Sequence, residues 1–147
     1  MSYLPPVQDL MFCIEHRSHW ERVSAMDAYS DCELSDIGAA LESYARFCAE
    51  QIVPLSHIGD TLGARFENGR VTMPEGDAQA YARFIEMGWQ ALTHPAEYGG
   101  IGLPRAVGAA AKEMLNAADM SFGLCPLLTD GAIEALLLTG SDEQKAT

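Results

Sequence analysis

Six apolar residues, Leu34, Ile37, Leu41, Tyr44, Cys48 and Ile52, recur at intervals of three or four along one stretch of the chain. Side chains so spaced fall on one side of an α-helix, and such a helix must be covered by other elements to be stable. Ser30-Asp31-Cys32-Glu33 stands at its start as a capping-box pattern. There the serine oxygen can take the Glu33 amide while the Glu33 carboxylate returns to the serine amide. Tyr29 and Leu34 sit where a hydrophobic staple would. Pro54 is expected to end the helix, because proline disfavours helical geometry in the residue before it.

Further helical patterns follow, so the spacing predicts an all-α fold, a bundle of about five to six helices. Between Leu55 and Gly76 the turn formers His57, Gly59, Asp60, Gly63, Asn68-Gly69 and Pro74 predict a short irregular excursion. The Phe66/Val71 pair across Asn68-Gly69 gives it a hairpin-like centre. A second helix is predicted from about Asp77 to Met87, with Tyr81, Phe84 and Ile85 as its apolar stripe and Gly88 in the left-handed position behind it. Pro104 opens a third helix to about Ala118, which buries Val107, Ala111, Met114 and Ala118. A short helix from Ser121 through Leu128 is expected to break or bend at Pro126. Thr129 or Asp130 then caps another, through Ile133, Leu136, Leu137 and Leu138, that stops at Gly140. Residues 1–29 form an N-terminal arm, either a short helix or an extended segment, and residues 30–147 form the helical domain. Ser141-Asp142-Glu143-Gln144 is a second capping box, and the residues after it are too few for the helix it announces. The natural chain is therefore expected to continue.

At 147 residues the chain has room for one domain. Its 21 acidic and 9 basic residues leave a net charge of −12. Such a surface repels phosphate backbones and anionic lipid, which argues against nucleic acid as a partner. No apolar stretch is read as reaching the roughly 18 to 20 residues of a membrane span. Cys13, Cys32, Cys48 and Cys125 show no close pairing of the kind a zinc or redox site needs. Scattered thiols and an N-terminus without a basic, then apolar, leader predict a reduced, cytoplasmic protein.

Little in the motifs carries chemistry. Gly99-Gly100-Ile101-Gly102 lacks the Lys-Ser or Lys-Thr of a phosphate loop and the G-x-G-x-x-G of a dinucleotide turn. A backbone reversal between two packed helices is the better reading. His16 and His19 stand at i and i+3 without a third ligand and beside Arg17, so no metal site is expected. Glu113 and Glu134 read as surface or interhelical partners, and no catalytic residue is assigned.

Two runs nevertheless resemble a known family. Gly88-Trp89 with Pro95-Ala96-Glu97-Tyr98-Gly99-Gly100-Ile101-Gly102-Leu103-Pro104 is similar to a loop in the N-terminal domain of acyl-CoA dehydrogenases. Glu113-Met114 through Gly140-Ser141-Asp142-Glu143-Gln144-Lys145 resembles the helix pair that follows it. Tyr3-Leu4-Pro5-Pro6-Val7-Gln8-Asp9-Leu10-Met11-Phe12, with Pro54-Leu55 and Gly59-Asp60, is similar to the branch that includes methylthiopropanoyl-CoA dehydrogenases. The resemblance spans essentially the whole chain.

What the resemblance implies is a flavoenzyme of helical, β and helical domains that acts on acyl-CoA thioesters. In such an enzyme a glutamate removes the α-proton and the β-hydrogen leaves as hydride to FAD. The catalytic base and most FAD contacts belong to later domains, so this chain alone is expected to be inactive. The resemblance also implies that Gly123, Leu124, Leu127 and Gly131 line the acyl chain, and that the parent is a homo-oligomer. The two glycines either leave room for a longer or branched chain or let helices pack closely. A reading of another class is a free-standing helical interaction module that keeps the fold without the enzyme.

Overall fold

The computed structural model describes residues 3–146. Met1, Ser2 and Thr147, at the outer bounds of the two expected segments, lie outside the described residues. The N-terminal segment is helical: α1 (Val7–Arg17) follows the Pro5-Pro6 pair, and α2 (Trp20–Ser24) and a 3-10 turn (Asp27–Tyr29) come after it. Leu10 and Ile14, one helical turn apart, enter the same core as the central helix.

That central helix, α3 (Leu34–Phe47), buries Ile37, Leu41 and Tyr44, as the spacing predicts. Its start differs from expectation. Ser30 belongs to the preceding 3-10 turn and donates its hydroxyl to the Asp27 carbonyl at 3.2 Å. Glu33 therefore takes the N-cap position, with φ −95° and ψ 147° and no side-chain cap bond. Ser30 has φ −59° and ψ −31°, helical geometry where an N-cap residue is extended, so it does not open the next helix.

Pro54 does not end the helix either. Residues Cys48–Ile52 form a π turn, in which the Val53 amide reaches back to the Cys48 carbonyl, and α4 (Val53–Leu62) continues beyond it. Proline in an α-helix loses one hydrogen bond and presses on the carbonyl four residues back. The wider turn sets Pro54 at the start of a new segment, where neither cost applies.

The hairpin is as narrow as its turn. β1 (Arg65–Glu67) and β2 (Arg70–Thr72) pair antiparallel with Phe66 opposite Val71. Asn68 and Gly69 have φ of 51° and 78°, the left-handed pair that a two-residue hairpin requires. Leu55 to Leu62, expected to be irregular, is helical.

α5 (Asp77–Glu86) buries Ala80 and Phe84, and Gly88 takes φ 77° just beyond it. Ile85, placed on the apolar stripe by spacing, is 45% exposed. α6 (Arg105–Ala118) buries all four expected residues, Val107, Ala111, Met114 and Ala118. The largest correction is α7. The two short helices are one continuous helix, Met120–Thr139, with Pro126 inside it and Asp119 accepting the Ser121 and Phe122 amides at its start. At 20 residues and a mean hydropathy of 1.4 it is long and apolar enough to cross a membrane by length and composition. The expectation that no apolar stretch reaches that length is overturned, because neither Pro126 nor Asp130 interrupts the helix. α8 (Asp142–Lys145) closes the described chain with the reciprocal Ser141/Gln144 capping box in place.

The core lies among α1, α3 with its π turn, α5 and α6. Tyr44, Phe47, Phe84 and Trp89 meet there with ring centroids 5.0 to 6.5 Å apart. Cys48 is fully buried, and burial pushes its thiol up from 9.0 to about 12. An unfolded thiol ionises at lower pH than the folded one, so stability is level below about 9 and is lost as pH rises from there towards about 12. Tyr44, also raised by burial, adds to the loss above its ordinary value of 10.0. Urea midpoints followed into the alkaline range should therefore fall. Thiol alkylation at neutral pH should mark exposed Cys13 and Cys125 first and leave Cys48 unmodified until the chain unfolds.

Candidate functional site

The face where α7 crosses α6 gathers a cluster of polar side chains around buried His94. Asp130, expected at a helix cap, lies mid-helix with its side chain 14% exposed. Its Oδ1 accepts the Gln90 Nε2 amide at 2.8 Å and lies 3.0 Å from His94 Nε2. Its Oδ2 is 2.6 Å from Lys112 Nζ. Gln90 also donates to the Pro126 carbonyl at 3.2 Å. One carboxylate thus ties α7 to α6 and to the segment between α5 and α6. These three contacts fix the carboxylate between the two helices and the loop. One turn further, Glu134 meets Arg105 at 2.8 Å, the interhelical role expected of it.

The glycine-rich loop does conformational work. The Gly100 amide donates to Pro95, Ile101 to Ala91 and Leu103 to Leu92, all backbone carbonyls. A Cβ added at Gly100 would overlap the His94 carbonyl. The loop reverses the chain between the Trp89–Ala91 turn and α6, as expected, and brings His94 beneath Asp130.

α7 is apolar on every side, so its second face is exposed. Leu124 and Leu127 are 53% and 49% exposed, and Gly131 has open space around its α-carbon. At the helical angle of 100° per residue these three share one side, with Met120, Leu128 and Leu138 beside them. Gly123, about 40° round the helix from Leu127, is turned inward: it is buried, and a Cβ there would overlap Asn116 Oδ1 of α6. Of the two roles the sequence allowed for the glycines, Gly123 has the geometry of close packing and Gly131 that of open space. Next to this face an apolar cleft of about 600 Å³ runs between the hairpin base, α5 and the first turns of α7, with Met73, Tyr81, Phe122 and Cys125 on its walls. The volume is of the size that small-molecule sites occupy.

Sequence reasoning missed the Gln90, His94, Lys112 and Asp130 cluster. Its members are up to 40 residues apart, and no periodicity links them. His16 and His19 do not sit on one helical turn, because His19 has φ 55° and starts α2.

The model of the acyl-CoA dehydrogenase N-terminal domain matches residues 36–147. The chain belongs to the acyl-CoA dehydrogenase family. It is also 64% identical over 146 residues to the 3-methylmercaptopropionyl-CoA dehydrogenase of Ruegeria pomeroyi, which covers 99% of this chain and 25% of that protein. The chain thus spans about a quarter of the length of the curated relative it matches. Acyl-CoA dehydrogenases depend on FAD. At the α6–α7 face the amides of Gly100, Ile101 and Leu103 are committed to carbonyls and Lys112 and Arg105 to carboxylates, so these groups are not free for its diphosphate.

Proposed function

We propose that the chain is the N-terminal helical domain of an acyl-CoA dehydrogenase that introduces an α,β double bond into an acyl-CoA thioester. In this reading the outer face of α7, with Leu124, Leu127 and Gly131, forms one wall of the acyl pocket. Gly123 sets how closely that wall lies on α6. The observation that carries the reading is the division of α7 itself. Its inner side is pinned through Asp130, while its outer side is an apolar surface with open space in front of it. A helix held rigidly on one side and apolar on the other suits a wall that buries an acyl chain and excludes water. In this reading FAD and the catalytic base belong to the rest of the parent protein. The substrate named for the Ruegeria relative makes a short, sulfur-containing acyl chain the first to test.

The test is substrate profiling of the full-length protein with short, branched and sulfur-containing acyl-CoAs, native against Gly131→Phe. A ring placed in the open space before α7 should lower kcat/KM for the bulkier chains by about tenfold to a hundredfold and for the shortest much less. An equal loss across all chain lengths, or none, would remove α7 from the pocket.

A further inference from the structure

Both strands of the hairpin are exposed along their whole length. Its register puts Phe66 and Val71 on one face and Arg65, Glu67, Arg70 and Thr72 on the other. The pair that flanks a two-residue turn exchanges both of its backbone hydrogen bonds, and bonded and non-bonded pairs alternate from there. Arg65 and Glu67 therefore turn their amides and carbonyls towards β2, and Phe66 turns both of its own out of the free edge of β1. The Phe66 side chain is 72% exposed beside them. Among the described residues neither Arg65 nor Glu67 has an ion-pair partner.

We propose that the free edge of β1 docks a second copy of this chain, the two β1 strands running antiparallel about a two-fold axis at Phe66. In that register Phe66 and the second copy's Phe66 exchange the two hydrogen bonds that each leaves open. On one face the two rings lie side by side, flanked by Val71 of each copy. On the other, Arg65 faces the second copy's Glu67, and Glu67 its Arg65, in the closer, non-bonded pairs of the ladder. Proteins blunt exposed edges with charge, but one charge of each sign placed symmetrically about Phe66 attracts an identical strand. The alternatives lack that match. A parallel pairing sets Arg65 against Arg65, and an antiparallel pairing of β2 about Val71 sets Arg70 against Thr72. The net charge of −12 opposes association elsewhere on the surface, so these local opposite charges decide where two copies meet. Three residues a side make a small contact, which adds to a larger association of the full-length protein. The pairing stands whether or not the outer face of α7 binds an acyl chain.

The test uses the full-length protein. In the native protein the Phe66 amide, free in a single copy, should exchange slowly with deuterium. Phe66→Cys, a change at an exposed site, sets two thiols on α-carbons about 5.5 Å apart, within reach of a short bifunctional thiol reagent. The reagent should join two chains through position 66, located by peptide mass spectrometry. Thr72→Cys is also exposed but lies three strand spacings, about 14 Å, from its counterpart and should not be joined. Arg65→Glu added to Phe66→Cys sets acid against acid and should lower the yield severalfold. Fast exchange at Phe66, equal yields at positions 66 and 72, or a yield untouched by Arg65→Glu would each overturn the pairing. Slow exchange without joined chains would mean that another segment of the same polypeptide covers the edge, which overturns it as well.

Discussion

Gly100→Ala is expected to cost about 3 kcal/mol or more, a large fraction of the stability of a domain of this size. The new methyl would overlap the His94 carbonyl oxygen and carbon and crowd the Pro95 carbonyl. All three are backbone atoms, so no rotamer change relieves the contact, and opening the loop breaks the Gly100 to Pro95 and Ile101 to Ala91 bonds. The measurement is the urea midpoint, or soluble yield if the variant does not accumulate. Two controls separate crowding from glycine chemistry in general. Gly99→Ala meets no atom within contact distance but carries φ 82°, so it should cost about 1 to 2 kcal/mol from backbone strain alone. Gly131→Ala, in a helix with open space around it, should be neutral or stabilising by about 0.5 to 1 kcal/mol. A Gly100→Ala midpoint no lower than that of Gly99→Ala would show that the loop does not hold this crossing.

Asp130→Ala is expected to cost about 2 to 4 kcal/mol. It removes the acceptor shared by Gln90, His94 and Lys112 and leaves Gln90 and His94 buried with donors unmet. The figure stays below that of a wholly buried pair because the Lys112 side chain is 49% exposed and can turn to water. Asp130→Asn, which keeps an oxygen for Gln90 and His94 and loses the charge facing Lys112, should fall between the native protein and the alanine variant. Thermal and urea unfolding check both. A midpoint for Asp130→Ala within error of native would mean that apolar contact alone seats α7 on α6. Since α7 buries only Gly123 and Pro126 fully, that outcome is not expected.

The elements legible in the sequence were those whose causes are local. All four residues assigned to the buried side of α6 are buried, because spacing at three and four residues is itself the geometry of a helix side. Asn68-Gly69 placed the hairpin because only residues tolerant of positive φ close a two-residue turn. The Ser141 box formed since both of its bonds lie within four residues. Motifs failed where the backbone took another course: Ser30 ends the preceding turn with helical φ and ψ, Pro54 follows a π turn, and Pro126 is buried inside one long helix.

The candidate site divides along the same line. That residues 120–139 are apolar on all sides, and that the chain belongs with acyl-CoA dehydrogenases, was present in the order of the residues. Which side of that helix faces inward was not, since a helix apolar all round carries no pattern to orient it. Asp130 decides it, by meeting Gln90 and His94 from 40 and 36 residues away and Lys112 from the helix before. The sequence by itself determined helices, turns and family, because those follow from forces acting over a few residues or from resemblance along the whole chain. Only the tertiary structure decided that Gly123 is a packing contact and Gly131 an open one, because neighbours across space differ where the residue type is the same.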